Sequence, residues 1–206
     1  MDANDKIISS REQEIIDAAQ KVFVEYGYKK VTMDDVAAKL NITRSALYYY
    51  YKSKDELFVA VSEYEFRWYE VELKKAVALA KTTDERFTAF CRCFLPLRKR
   101  FKDIYNLASD DFPFPFEIHR KFKNMISEIH EKLIAEIFRK DKKIGNIDNI
   151  EYFSSLLTGS IRGIVFSMHD ATIEQLEHYI VTLCKIFCMG LPGVASGIKN
   201  DSDKKG

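Results

Sequence analysis

The chain has 206 residues, 47% of them hydrophobic and 13% aromatic, which is enough for a sizeable packed core. Thirty-two Lys and Arg stand against 31 Asp and Glu, so the net charge of +1 marks out neither a basic nucleic-acid binder nor an acidic tail. No stretch approaches the roughly eighteen apolar residues of a membrane span, and the polar, charged N-terminus carries no secretory signal, so a cytoplasmic protein without membrane contact is expected.

In chain order, Ser9 or Ser10 caps a first helix that runs to Tyr26. Ile15, Ala19, Val22, Phe23 and Tyr26 form its apolar stripe, and Gly27 closes it. A second helix starts at Thr32, whose side chain caps the opening amides while Asp35 reaches back to the Thr32 backbone. Val36, Ala37 and Leu40 share its inner face. Asn41 stands where the chain must turn sharply, and Asn accepts a left-handed conformation better than most residues. Ile42 fills the corner, and Thr43 caps a third helix whose Leu47 points back at Val36 and Leu40. The small Ala37 lets the two helices cross steeply over a short turn, as a helix-turn-helix requires.

The outward face of this third helix carries Thr43, Arg44, Ser45, Tyr48 and Tyr49. Arg is the side chain best shaped for a guanine edge, and the hydroxyls suit phosphates and bases. Arg44 is therefore the expected base reader, with Thr43, Ser45 and Tyr49 beside it, while Thr32, Tyr48 and Lys54 are expected on phosphates. Between Tyr28 and Lys54, six basic residues (Lys29, Lys30, Lys39, Arg44, Lys52, Lys54) oppose Asp34 and Asp35, a local balance of +4. The alternative is a helical hairpin with a solvated face, in an all-helical ligand-binding or scaffolding protein that reads no DNA sequence.

Ser53-Lys54-Asp55-Glu56 forms a further capping box, and Leu57, Val61, Tyr64, Trp68 and Val71 continue at helical spacing, giving one long helix from Ser53 to about Ala80. Thr82-Thr83-Asp84 starts another, which Pro96 is expected to kink or end. Phe101 to about Leu107 is a short piece, and the alternating prolines of Asp110 to Phe116 predict a loop. Helices from about Phe116 to Lys140, Asp148 to His169 and Ile173 to Gly190 follow, with a turn at Asp141 to Asn146. Pro192 to Gly206 is polar and weakly patterned, so a disordered tail is expected.

Arg11, Ile15, Ala18, Ala19, Phe23, Gly27, Thr32, Val36, Ala37, Leu40, Ile42, Leu47, Tyr48, Lys54 and Leu57, in this order and spacing, resemble the head of the tetracycline-repressor (TetR) family of one-component regulators. The resemblance covers roughly the first quarter of the chain. It departs from the family where Tyr50 and Tyr51 replace the usual His-Phe pair and where Asn41 replaces the usual turn glycine. The resemblance implies an all-α fold: a three-helix helix-turn-helix head over 1–52, joined by a long helix to a ligand-binding and dimerisation body over 53–191, with 192–206 as the tail.

The last two long helices read as an association surface. Ser155, Gly159 and Gly163 recur every four residues and allow close helix approach. Leu176, Ile180, Leu183 and Phe187, with Tyr179 and Met189, cover more than one face of the final helix, which asks for burial on two sides. A homodimer with a four-helix interface answers both observations, and by resemblance it would place two recognition helices on one near-palindromic DNA operator.

By resemblance the body also holds a cavity for a small-molecule effector of unknown identity. Trp68, Tyr105, Phe112, Phe114, His119, Met125 and His169 are its candidate lining, drawn from an aromatic-rich region. A carboxylate among these aromatics would favour a cationic lipophilic effector. No cofactor or metal is expected. Cys91, Cys93, Cys184 and Cys188 form no CxxC motif or compact Cys/His cluster, and read as small buried hydrophobes in a reducing compartment. Glycine-rich phosphate loops, G-x-S-x-G and H-E-x-x-H are all absent, so no enzyme is expected. The reading is a dimeric, ligand-responsive transcriptional regulator, a repressor, whose operator, effector and regulated genes the sequence leaves open.

Overall fold

The computed structural model describes residues 9–105, 116–142, 144, 147, 149–168 and 170–202, with side chains described up to Leu97 in the fifth helix and up to Pro192 in the eighth. Among the described residues there are eight α-helices and no strand: α1 Ser10–Tyr26, α2 Met33–Lys39, α3 Arg44–Tyr50, α4 Lys54–Leu79, α5 Thr83–Tyr105, α6 Phe116–Lys140, α7 Ile150–Ser167 and α8 Ile173–Ser202. The chain divides into two compact units, one of 1–68 with 99–122 and one of 69–98 with 123–206.

In the first unit the helix ends follow from local chemistry. Ser9 accepts the Glu12 amide while the Glu12 carboxylate accepts the Ser9 amide, and Thr32 and Asp35 repeat the same reciprocal box at α2. Gly27 closes α1 at φ 76°, its amide donating to the Phe23 carbonyl. At the end of α2, the Asn41 amide donates to Ala38 and the Ile42 amide to Ala37, with Asn41 at φ 53°. That pair of bonds is a Schellman closure built on Asn rather than Gly. Thr43 then caps α3 by accepting the Ala46 amide.

Behind these caps, Ile15, Ala19, Val22, Phe23, Val36, Ala37 and Leu47 are buried, Leu47 completely. Phe58 of α4 packs edge-on to Phe23 at 5.0 Å and tilted to Tyr28 at 4.6 Å, and Phe122 meets Phe58 and Phe66. Tyr51 occupies the core position expected of it at 8% exposure, and burial, aided by Glu12, Glu56 and Glu63, pushes its hydroxyl up to about 12. Gln20 of α1 donates to the buried Glu65 carboxylate of α4 at 2.6 Å.

Several element limits differ from expectation. Pro96 does not end α5, which runs unbroken to Tyr105 and absorbs the separate piece expected at Phe101. Proline removes one backbone bond from a helix, but Leu95 and Leu97 on either side are buried, and their packing outweighs that loss. Pro192 is likewise inside α8, where Leu191 is buried, so the segment expected to be loose from Pro192 onward is helical as far as Ser202. At α4, Ser53 accepts the Glu56 amide as expected, but the Glu56 carboxylate takes the Lys52 amide rather than that of Ser53. The buried stripe of α4 is Leu57, Phe58, Val61, Phe66, Tyr69, Leu73 and Val77, which leaves Trp68 and Val71 on its outer side.

The second unit packs Phe87 against Phe138, Phe138 against Phe187, and Phe187 against Phe153. Thr172 and Gln175 form the capping box of α8. Cys91 and Cys184 are buried in this unit, and Cys93 and Cys188 are half-buried. Burial pushes the Cys91 and Cys188 thiols up to about 12.

Candidate nucleic-acid interface

The turn at Asn41 presents α3 with Leu47 inward and most of its other side chains in solvent. Thr43, Arg44 and Ser45 are exposed, Tyr49 is 76% exposed and Tyr48 is half-buried. Arg44 is the first residue of α3, and its guanidinium is held from two sides. Nη1 donates to Asp34 Oδ2 of α2 at 2.9 Å, and Nη2 donates to the Tyr48 hydroxyl at 3.3 Å, with the guanidinium carbon 5.2 Å from the Tyr48 ring centre. The Tyr48 hydroxyl and the Asp34 carboxylate raise the Arg44 pKa above its ordinary value. At the other end of α3, Lys52 Nζ donates to the Tyr48 and Tyr49 carbonyls at 3.1 and 3.4 Å, a cation where the helix dipole is negative. Arg44, Ser45 and Tyr49 thus form one solvent-facing set of hydrogen-bonding groups on a rigidly capped helix.

Two of the expected phosphate contacts have other work in this structure. Lys54 turns onto Tyr28, donating to its carbonyl at 2.9 Å with Nζ 4.5 Å from its ring centre. The Tyr28 hydroxyl in turn donates to Asp55. Thr32 is exposed, yet its hydroxyl donates to Asp35 at 2.7 Å, an interaction that holds the Asp35 carboxyl below its ordinary range. Lys29, Lys30 and Lys39 are exposed on the same unit.

The expected effector lining is less coherent. Phe112, Phe114 and His169 lie outside the described residues, as do Asp110 and Asp111, and Tyr105 is described only as the last residue of α5. Trp68 is 57% exposed on the outer side of α4, so it does not line an interior cavity of its unit. His119 is half-buried in the first unit and Met125 half-buried in the second.

The enclosed polar group that sequence reasoning missed is His130. It is 3% exposed, its Nε2 lies 2.8 Å from the Tyr69 hydroxyl, and Phe90 and Phe94 meet it edge-on at 4.8 and 4.7 Å. The signal was present: His130 shares the α6 stripe of Leu133, Ile134 and Ile137, and a polar residue on a buried stripe must find a partner there.

On the proposed association surface, the structure separates two groups. Ser155, Gly159 and Gly163 face outward on α7, and among the described residues no atom outside the helix's own backbone lies within 4 Å of a Cβ built on either glycine. An open groove of about 430 Å³ runs there, lined by Tyr152, Ser155, Leu156, Gly159 and Ser160. Leu176 and Ile180, by contrast, are fully buried within the protomer, and Phe187 stacks on Phe138. Helical periodicity located the apolar faces of α8 but could not say which one its own chain covers. Among the described side chains of α8, the large exposed apolar residues are Tyr179, Ile186 and Met189, and Leu183 is half-buried.

Residues 15–61 match the model for bacterial regulatory proteins of the tetR family. The HTH-type transcriptional regulator QacR of Staphylococcus aureus is 24% identical over 186 residues, which cover 86% of this chain and 96% of that protein. IcaR, the HTH-type negative transcriptional regulator of the icaADBC biofilm operon of Staphylococcus epidermidis, is 26% identical over 58% of this chain and 65% of its own length. In fold, the chain is similar to a transcriptional regulator from Cytophaga hutchinsonii, with a TM-score of 0.72 at 20% identity over 88% of this chain and 98% of that one. The helix-turn-helix of α2 and α3 thus lies in a segment that matches the tetR family of bacterial regulatory proteins, and the chain as a whole is similar in sequence and fold to transcriptional regulators.

Proposed function

We propose that the chain is a dimeric repressor that binds a near-palindromic operator through α3 and is released by a small-molecule effector. The observation that carries this reading is the exposed row of Arg44, Ser45 and Tyr49 opposite the fully buried Leu47. It is a helix anchored by its inner side, with its donors left for a groove. Reading belongs to residues 1–52, with Arg44 on a base and Thr43, Ser45 and Tyr49 beside it. Tyr48 serves a phosphate, while Lys54 braces Tyr28 and Thr32 keeps its donors on Asp35.

Effector response and pairing belong to residues 53–191. The outward Ser155, Gly159 and Gly163, with exposed Tyr152, Leu156, Phe166, Ile186 and Met189 on α7 and α8, support a two-fold contact between copies. Two copies would set their recognition helices about 34–36 Å apart, one turn of DNA. An effector that binds better to a different spacing of the recognition helices would release the operator. The polar group that aromatics enclose in the second unit is the His130 imidazole, which burial holds neutral.

The test is retardation of the chain's own upstream DNA at physiological salt, alongside sedimentation of the free protein. Wild type should bind that DNA in preference to a scrambled duplex and sediment as a dimer. Arg44→Ala should lose about 1–3 kcal/mol per half-site with relaxed sequence preference. Equal affinity for scrambled DNA, or a strictly monomeric protein, would overturn the proposal.

A further inference from the structure

Asp34 lies in the first turn of α2 and Arg44 opens α3, so the ion pair between them spans the helix-turn-helix. Both side chains are well exposed, at 59% and 62%, and an exposed pair of this kind adds little to stability. Its geometry matters more. The Asp34 carboxylate holds Nη1 and the Tyr48 hydroxyl holds Nη2, which fixes the guanidinium plane from both ends. A guanidinium has five N–H donors, and with one given to each partner enough remain for two parallel bonds to a guanine edge.

An acid in this position has a second effect. Asp34 subtracts one charge from the local positive balance at the surface that must approach phosphates, so it weakens attraction to any duplex whatever its sequence. Orientation of the reader and repulsion of the backbone act in the same direction, since both widen the gap between the right sequence and the wrong one.

We propose that Asp34 is a specificity-determining positioning residue, which holds Arg44 in its base-reading orientation while its charge lowers affinity for unrelated DNA. This rests on the DNA-reading role proposed for α3. Asp34 itself touches no base in this scheme; it acts through Arg44.

The experiment uses the full chain and a duplex selected by wild type from a randomised library. Binding of the selected duplex, each of its single-base variants and a scrambled duplex is titrated by fluorescence anisotropy over a salt series. Asp34→Ala should bind the scrambled duplex more tightly than wild type. It should also lose about tenfold in preference at the base pair where Arg44→Ala loses preference, within the range a bidentate contact supplies. Asp34→Asn keeps an acceptor without the charge, so it should recover base preference while retaining the tighter scrambled binding. Because Asp34 is exposed, the melting temperatures of both variants should match wild type, and the base-by-base preference is a readout that a purely structural role would leave unchanged. Undiminished preference in Asp34→Ala, or loss at a base pair other than that of Arg44, would overturn the positioning role alone. If wild type enriches no sequence, the DNA-reading function falls as well, and that outcome is visible before any variant is compared.

Discussion

The Tyr69 hydroxyl and His130 Nε2 lie 2.8 Å apart inside the second unit, and both groups are held neutral. Burial, with the Arg162 charge adding to it, brings His130 down to about 3, and burial lifts the Tyr69 hydroxyl well above its ordinary value. A polar pair that stays uncharged needs no counter-ion among Phe90 and Phe94.

This pair predicts an acid limb in stability. In the unfolded chain His130 takes up a proton near pH 6.5, while in the folded protein it does so only near 3. Between those values the unfolded state binds more protons, so stability rises with pH and falls as acid is added, at up to about 1.4 kcal/mol per pH unit from this group. Urea unfolding of His130→Gln, followed from neutrality down to about pH 4, should show a visibly shallower acid limb than wild type. Parallel limbs would mean that His130 is already protonated in the folded protein.

Asn41 at φ 53° predicts an ordered series of substitutions at the turn. Asn41→Gly should be neutral within a few tenths of a kcal/mol, because glycine adopts this backbone without strain. Asn41→Val should cost about 1–2 kcal/mol, since a β-branched side chain crowds the following carbonyl in the left-handed region. Chemical denaturation monitored at the head's tyrosines measures both.

Lys54 offers a choice between two roles with different readouts. As a brace on Tyr28, its replacement by Ala should lower stability by about 1 kcal/mol and leave the salt dependence of DNA binding unchanged. A phosphate contact would instead reduce the salt slope by about one unit. Thermal unfolding and a salt titration on the same sample decide between them.

Gly159 predicts a separation of folding from pairing. Among the described residues, nothing outside the helix's own backbone lies within 4 Å of a Cβ there, so Gly159→Glu should keep the full helical circular dichroism signal. On a helix–helix contact between copies, however, the same carboxylate would be buried without a partner, and the protein should sediment as a monomer with weakened operator binding. A dimer that persists in this variant would place the contact elsewhere.

The head was legible in the sequence because its signals are local. Ser9, Thr32, Asn41 and Thr43 each act on amides or carbonyls within five residues, and such short-range chemistry needs no knowledge of the tertiary fold. The limits of α5 and α8 were less legible, because whether Pro96 or Pro192 ends a helix depends on what buries Leu95, Leu97 and Leu191. Leu176 and Ile180 show the same limit on a face: spacing marks them as apolar, and only packing assigns them to the protomer's own core. Trp68 and Val71 fit the helical spacing of α4 but fall just outside its buried stripe, and His130 stands among Glu128, Glu131 and Lys132 in sequence, so only packing shows that it faces inward.

Gln20 reaches Glu65 eleven residues beyond the start of α4, roughly 16 Å along its axis. The tether makes α1 a rider on α4: a screw or slide of that long rod would draw on the first helix near its midpoint.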